Sequence, residues 1–112
     1  MDVRQTFYIN MQSLNNRVKD KRYITVGEAL KAYRLGKGYS ARYIASVVSL
    51  ATGRKLIAQG VYNYECGAAR VTMDYLSDFC RALKINCNVR ILKNGAIWLT
   101  ALDGVKVSAR MY

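Results

Sequence analysis

Between Thr25 and Asn86 the sequence alternates helix-start signals with glycine stops, and this order constrains the fold more than any other feature. Thr25 and Glu28 form a capping box, in which the Thr hydroxyl accepts from a backbone N–H and the Glu side chain reaches back to the cap. Ser40 and Thr72 are further N-cap candidates, and glycines follow the apolar stretches where left-handed C-caps are expected. The pattern predicts a bundle of short helices.

Four helices are expected in this region, because apolar residues recur at helical spacing after each start signal. Their predicted bounds are residues 25 to 36 or 38, 40 to about 50, about 56 to 65, and 72 to 83. The residues expected to face the core on the second and fourth helices are Tyr43, Ile44, Val47, Val48, Leu76, Phe79, Cys80 and Leu83. Ala45 is small enough to allow another helix to approach closely.

The third predicted helix is short and has two unlike faces. Val61 and Tyr64 can pack inward. The residues expected to face outward are Gln59, Gly60, Tyr62 and Asn63. Gln and Asn side chains each present a donor and an acceptor together, which suits the edge of an adenine base. This face is therefore the first candidate for a binding surface.

Residues 1–24 form an N-terminal extension that is predicted to be helical, because its apolar residues recur at spacings of three and four. A strand over Thr6–Met11 is the alternative, since this stretch is rich in β-forming residues. Residues 19–23 supply a polar break before the first capping box.

Residues 87–112 change to the period of a β-sheet, which predicts a three-stranded antiparallel meander. Asn94–Gly95 is the favoured pair for a type I′ turn, and Asp103–Gly104 supplies the second turn. The meander is a possible dimerisation element, with Trp98 as its anchor or, equally, as ordinary core. The predicted fold is mainly α: four to five helices followed by an antiparallel β-meander.

The chain carries a formal charge of +11, from 18 basic and 7 acidic residues. A polyanion would concentrate near such a surface and bind with a strong salt dependence, so nucleic acid is the leading partner. A basic composition that only aids solubility is the alternative.

Several classes of function require residues that this sequence lacks. Histidine is absent, and no nucleophile elbow or Gly-rich phosphate loop is present, so an enzyme is not expected. Cys66, Cys80 and Cys87 have no paired Cys-x-x-Cys spacing, so neither a disulfide framework nor a metal site is expected, and no cofactor or small-molecule ligand is evident. No apolar stretch approaches the ~20 residues of a membrane span, and the expected location is the cytoplasm.

The order of elements over residues 25–86 resembles the Cro/repressor helix-turn-helix family, whose domains have the lambda-repressor-like fold. Three details carry the resemblance: Arg34 near the end of the first helix, Ile44–Ala45 in the second, and Tyr64–Gly67 closing the third. The resemblance implies that Arg34 and Glu65 form a buried ion pair joining the first and third helices; two unrelated surface charges are the alternative. The span of the second and third helices is longer than the usual form, so either the second helix is extended or the turn loops out.

The resemblance also places the third helix in the major groove of double-stranded DNA. The base-reading candidates are then Gln59, Gly60, Tyr62 and Asn63. The phosphate-contacting candidates are Ser40, Arg42, Arg54 and Lys55. Ser40 lies at a helix N-terminus, which is an anion site. An exposed aromatic that packs on a neighbour is the alternative for Tyr62, and solvated loop charges are the alternative for Arg54 and Lys55.

These expectations together describe a sequence-specific regulator of transcription, such as a phage or bacterial repressor that binds its operator as a homodimer. Two alternatives come from other classes. One is a protein-interaction module, antitoxin-like or anti-defence, that uses a helix-turn-helix fold to hold a protein. The other is a nucleic-acid-binding protein with little sequence preference.

Overall fold

A computed structural model describes residues 21–111 of the chain. Over this range four helices and four strands form a mixed α/β arrangement. In chain order they are β1 (Lys21–Thr25), α1 (Val26–Gly36), α2 (Ala41–Thr52), α3 (Ala58–Cys66), α4 (Met73–Leu83), β2 (Cys87–Ile91), β3 (Ile97–Leu102) and β4 (Val105–Arg110). The fold was expected to be mainly α. It is instead mixed α/β, because β1 joins the three C-terminal strands in one sheet.

Three helices begin at the predicted caps. The side chains of Thr25, Ser40 and Thr72 each accept a hydrogen bond from the backbone N–H three residues further on, at 3.3, 3.0 and 3.1 Å. Gly53 and Gly67 end α2 and α3 with φ values of 73° and 86°, in the left-handed region that glycine adopts without a steric penalty. The local signals for these helix ends are confirmed.

Helix α2 is longer than predicted, and this accounts for part of the long span to the end of α3. It continues through Leu50 to Thr52, and α3 begins at Ala58 rather than near Leu56. The prediction that Tyr43 is buried is wrong, because its side chain is 44% exposed and its ring lies 4.8 Å from the ring of Tyr39.

The strands form one sheet in the order β1-β4-β3-β2. The antiparallel meander of β2, β3 and β4 is confirmed. Strand β1 pairs in parallel with β4, with Lys21 opposite Val107, so the end of the N-terminal extension is a strand where a polar break was predicted. The helix predicted for the preceding residues, and its alternative strand over Thr6–Met11, lie outside the described residues.

The type I′ turn predicted for the first turn of the meander is not found there. In the first turn only Gly95 has a positive φ, and the side-chain oxygen of Asn94 accepts from the backbone N–H of Ala96 at 3.0 Å. A type I′ turn needs positive φ at both central residues, so the prediction for Asn94–Gly95 is wrong. Asp103 and Gly104, at 52° and 77°, meet that requirement in the second turn.

The core lies between the helices and one face of the sheet. Residues from four elements are almost completely buried in it, namely Ile44, Val61, Leu76, Phe79 and Leu99. Helix α1 uses opposite faces for two sets of contacts. It packs on α3 with one face, whereas its other face contacts β4 and lines a groove beside the β3–β4 hairpin. The sheet and α3 therefore lie on different sides of α1.

Candidate nucleic-acid interface

Helix α3 is fixed from behind by a close approach to α1. Gly27 is buried, and a Cβ at this position would clash with the backbone carbonyl oxygen of Tyr64. Tyr64 in turn stacks on Tyr75 of α4, with the ring centroids 3.8 Å apart. Only glycine allows α1 and α3 to lie this close, so Gly27 sets the position of the third helix.

The Arg34–Glu65 ion pair expected from the resemblance is present. Arg34 donates from Nε to Oε2 of Glu65 at 2.7 Å and from its second terminal nitrogen to Oε1 at 3.0 Å. Its remaining terminal nitrogen donates to the carbonyl of Tyr39 at 3.0 Å. Both charged side chains are at most 7% exposed, and the hydrogen bond to Glu65 raises the pKa of Arg34. This bidentate pair joins α1, α3 and the loop before α2.

The loop before α3 is held by a side chain of α2. The hydroxyl of Ser49 accepts from the backbone N–H of Leu56 at 2.7 Å and lies 3.1 Å from the carbonyl of Leu56, to which it donates. Ile57 occupies the N-cap position of α3 and makes no side-chain capping bond. Because α3 lacks a cap of its own, Ser49 supplies the hydrogen bonds that fix where the helix starts.

The outward face of α3 carries the two predicted amides side by side. Nε2 of Gln59 donates to Oδ1 of Asn63 at 3.0 Å, which holds the two side chains together on one face. Gln59 is exposed and Asn63 is half-buried. This bond leaves the side-chain carbonyl oxygen of Gln59 and the side-chain NH₂ group of Asn63 available to a base edge.

Tyr62 lies on the same side of α3 and is 48% exposed. Its ring centroid is 5.7 Å from the guanidinium carbon of Arg34, which is within the range of a cation–π contact. The ring therefore packs on a buried charge and still presents an exposed edge. The alternative prediction for Tyr62, an exposed aromatic that packs on a neighbour, thus holds for the side of the ring that contacts Arg34.

Gly60, the remaining outward candidate, lies beside the side chain of Leu56. It is half-buried, and a Cβ built on it would come within 2.8 Å of Cδ1 of Leu56. The missing side chain thus makes room for Leu56. Gly60 and Asn63 are buried to a similar degree, and base reading by Gly60 stays a prediction.

The four phosphate candidates fall into two groups at opposite ends of α2. Ser40 and Arg42 lie at its N-terminus, and Arg54 and Lys55 follow its C-terminus. A helix rises 1.5 Å per residue, so the two groups are roughly 18 Å apart along the axis of α2. Ser40 already accepts one backbone hydrogen bond as the N-cap, and Arg42 is exposed.

Arg54 is engaged elsewhere, and this weakens its case as a phosphate contact. Its guanidinium lies 2.7 Å from Oδ2 of Asp78 on α4, and Asp78 is shared with Arg81 at 3.0 Å. The sequence could not predict this pair, because Asp78 comes from a helix that is distant in the chain. Lys55 is exposed and takes part in none of the ion pairs formed within residues 21–111.

The electrostatic character of this surface follows from a long stretch without acidic residues. No Asp or Glu occurs between Glu28 and Glu65, and Glu65 itself is neutralised by Arg34. Helix α2 and the loop after it therefore carry only positive charge, and the outward face of α3 is neutral. A polyanion approaching this side meets no repulsive carboxylate from these elements.

Comparison of the chain with family models, with curated proteins and with solved structures finds no match. No helix within residues 21–111 has the length and apolar character to cross a membrane. The case for a function therefore rests on the geometry of α2 and α3.

Sequence reasoning missed two residues that position the candidate interface, Gly27 and Ser49. Gly27 comes two residues after a helix cap, where glycine is unfavourable and thus indicates a special packing reason. Ser49 lies inside an apolar helix, where a hydroxyl often bonds to nearby backbone instead of to solvent. Both signals were present in the sequence, but neither identified its partner.

Proposed function

We propose that the chain is a sequence-specific double-stranded DNA-binding protein that reads bases with the outward face of α3. One observation carries the proposal. The bonded amides of Gln59 and Asn63 stand on the exposed face of a helix that Gly27, Arg34 and Ser49 fix from behind. A rigid helix with free amide groups suits the major groove, where Gln or Asn can pair with adenine.

The charge around α3 supports the same function. Arg42 and Lys55 lie near the two ends of α2, and neither α2 nor the loop after it contributes a carboxylate. Asp74 and Asp78 of α4 line the pocket beside Arg54 and Lys55, so the positive charge is least opposed toward Arg42. Contacts from both ends of α2 would fix the register of α3 in the groove without choosing a sequence. Arg54 is a weaker candidate for a phosphate contact, since its guanidinium is already paired with the carboxylate of Asp78.

In this proposal the protein acts as a regulator of transcription, such as a phage or bacterial repressor, and binds its operator as a homodimer. A single helix in one groove reads few base pairs, and a symmetric dimer doubles the site. Strand β2 is at the edge of the sheet, and Ile91 at its end is 70% exposed. Pairing of two β2 edges would join two copies by backbone hydrogen bonds.

Selection of bound duplexes from a random pool tests base reading. The full chain should enrich one site, and a dimer should enrich half-sites about 10–10.5 base pairs apart. Gln59→Ala with Asn63→Ala should flatten the preference at one or two base pairs per half-site, a loss of roughly 1–3 kcal/mol of discrimination at each. Asn86→Ala, which removes an exposed amide outside α3, is the matched control and should enrich the wild-type site.

Three single substitutions separate the phosphate contacts. Arg42→Ala and Lys55→Ala should each shallow the dependence of log affinity on log salt by about 0.9. Arg54→Ala should change this slope less, because its charge is shared with Asp78. Enrichment of no sequence by the wild-type chain, with an unchanged salt slope in Lys55→Ala, would exclude the proposed mode of binding. Retention of a protein partner in high salt would instead favour a protein-interaction module.

A further inference from the structure

The side of the sheet that faces away from the core carries a row of three residues in register. Arg90 of β2 is the Cα partner of Trp98 of β3, and Trp98 is the partner of Arg110 of β4. Leu99 follows Trp98 on β3, and Ala109 precedes Arg110 on β4. Both Leu99 and Ala109 are fully buried. Because successive side chains of a strand point to opposite faces, the row Arg90, Trp98, Arg110 points outward.

This row is positively charged and carries no counter-charge of its own. Both arginines are exposed, Trp98 is half-buried, and none of the ion pairs formed within residues 21–111 includes either arginine. Strands β2, β3 and β4 contain no acidic residue. Asp103, in the turn between β3 and β4, accepts from the hydroxyl of Tyr33 at 2.9 Å and pairs with Lys37 at 3.7 Å. Its charge is thus satisfied on the α1 side.

We propose that the row Arg90, Trp98, Arg110 binds a single-stranded segment of nucleic acid. A base stacks on the indole of Trp98, and the arginines on the two neighbouring strands pair with phosphates on either side of that base. Adjacent strands are about 5 Å apart, so the two cations flank the ring at close range. An aromatic ring between cations is the combination by which proteins hold single strands without reading their sequence.

A second copy of the chain fits this row less well than a polyanion does. In a symmetric dimer the same patch faces itself, so the arginines of one copy would meet those of its partner. Like charges placed opposite each other are destabilising, and the row supplies no carboxylate to relieve them. The interface also requires loss of water from both guanidinium groups, which phosphates compensate and arginines do not.

The row is separate from the proposed duplex-binding face. Helix α1 contacts α3 through Gly27 and Arg34, and it lines the groove beside the β3–β4 hairpin with the opposite face, which includes Tyr33. The outward side of the sheet is farther still from α3. One molecule could therefore hold a duplex at α3 and a single strand at the sheet, and loss of either activity need not affect the other.

Fluorescence tests the proposal directly, because Trp98 is the single tryptophan of the chain. Titration of the full chain with a short oligodeoxythymidylate at low salt should quench Trp98 emission to a plateau, and added salt should reverse the quenching. Anisotropy of a labelled oligonucleotide should show roughly tenfold weaker binding by Trp98→Leu and a smaller loss by Trp98→Phe, which keeps a ring. Arg90→Gln and Arg110→Gln should each reduce the salt slope by about 0.7.

Two controls make the test specific. Lys31→Gln removes one exposed charge from α1 and should leave the salt slope for single strands unchanged. Asn63→Ala should change duplex preference and leave the quenching intact, so failure of this proposal is distinguishable from failure of the proposed duplex binding. Absence of quenching at low salt would overturn the proposal. Wild-type binding by both Arg90→Gln and Arg110→Gln, or a shift from dimer to monomer in Arg110→Gln, which lies away from the β2 edge, would also overturn it.

Discussion

Helix α4 carries its start signal and its core face in its own sequence, whereas α3 depends on contacts from other elements. The hydroxyl of Thr72 caps α4, Asp74 lies in its first turn, and Leu76 and Phe79 are buried on one side. Helix α3 has no side-chain cap, includes a glycine, and buries only Val61 and Glu65. Isolated helices of this length are marginal in water, so tertiary contacts decide whether α3 forms.

This difference separates the residues that stabilise α3 from those proposed to bind DNA. The inward side of the helix is fixed by Gly27, Arg34 and Ser49, so Gln59 and Asn63 need not contribute to stability. Their substitution should leave the free energy of unfolding within about 0.5 kcal/mol of the wild type, as is usual for surface positions. Substitutions on the inward side should instead affect stability first.

The largest effect is expected at the ion pair behind α3. Glu65→Gln leaves the guanidinium of Arg34 buried without a counter-charge and should lower the free energy of unfolding by roughly 3–5 kcal/mol. Urea denaturation measures the loss. The double variant Arg34→Met with Glu65→Leu removes both charges and should recover most of the stability. A loss below about 1 kcal/mol in Glu65→Gln would show that the pair does not hold α3, by the scale of exposed pairs.

A smaller loss is expected where α1 meets α3. Gly27→Ala adds a Cβ against the carbonyl of Tyr64, and the backbone must shift, at a cost of about 1–3 kcal/mol. Gly36→Ala is a matched control in the same helix, since nothing lies within 4 Å of a Cβ there. This control should gain roughly 0.4–1 kcal/mol through reduced freedom of the unfolded chain. Stabilisation by Gly27→Ala, to the same extent as by Gly36→Ala, would contradict the close approach of α1 and α3.

Comparable hydrogen bonds act on the starts of the two helices. Ser49→Ala removes both bonds to Leu56 before α3, and Thr72→Ala removes the cap of α4; each should cost about 1 kcal/mol. Hydrogen exchange should separate them. Ser49→Ala should increase exchange throughout α3, whereas Thr72→Ala should affect only the first turn of α4, because the apolar face of α4 stays in the core. An increase in exchange of equal extent in α3 of Ser49→Ala and in α4 of Thr72→Ala would show that α3 depends no more than α4 on contacts from other elements.

The mildest probe of the comparison is alkylation of cysteine. Cys66 ends α3 and is exposed, whereas Cys80 on α4 is buried, and this burial, with a contribution from Cys87, raises the pKa of the Cys80 thiol to about 12. At pH 8 almost no thiolate forms at Cys80, so iodoacetamide should modify Cys66 first. Mass spectrometry of the digested protein checks the order, and Cys66→Ser should abolish the fast modification.

Local signals were sufficient to predict the starts of α1, α2 and α4 and the meander. Thr25, Ser40 and Thr72 cap helices because each hydroxyl reaches a backbone N–H three residues away, a geometry that depends on local sequence alone. The pairing of β1 with β4 has no such signal, since the two strands meet only when the chain has folded. At the first turn the side chain of Asn94 accepts from the backbone N–H of Ala96, and Asn94 does not adopt the positive φ that a type I′ turn needs.

The geometry of the candidate interface was predicted in part. Gln59 and Asn63 share an exposed face because residues four apart on a helix are neighbours. The pairing of Arg54 could not be predicted, because Asp78 lies on α4, and the contact of Gly60 with Leu56 was not anticipated. The roles of both residues at DNA stay predictions. The Arg34–Glu65 pair came from the family resemblance, since spacing alone does not join two charges on separate helices.

The parallel pairing of β1 with β4 has a consequence for how the protein is made. The four helices and β2 leave the ribosome before β4, and the contacts among α1, α2, α3 and α4 can form during synthesis. Strand β1 must wait for β4, its neighbour in the sheet, and such long-range closure is slow. Until then the edge that β1 will use is open to other chains, so a chaperone or slow dilution should raise the yield of refolded protein.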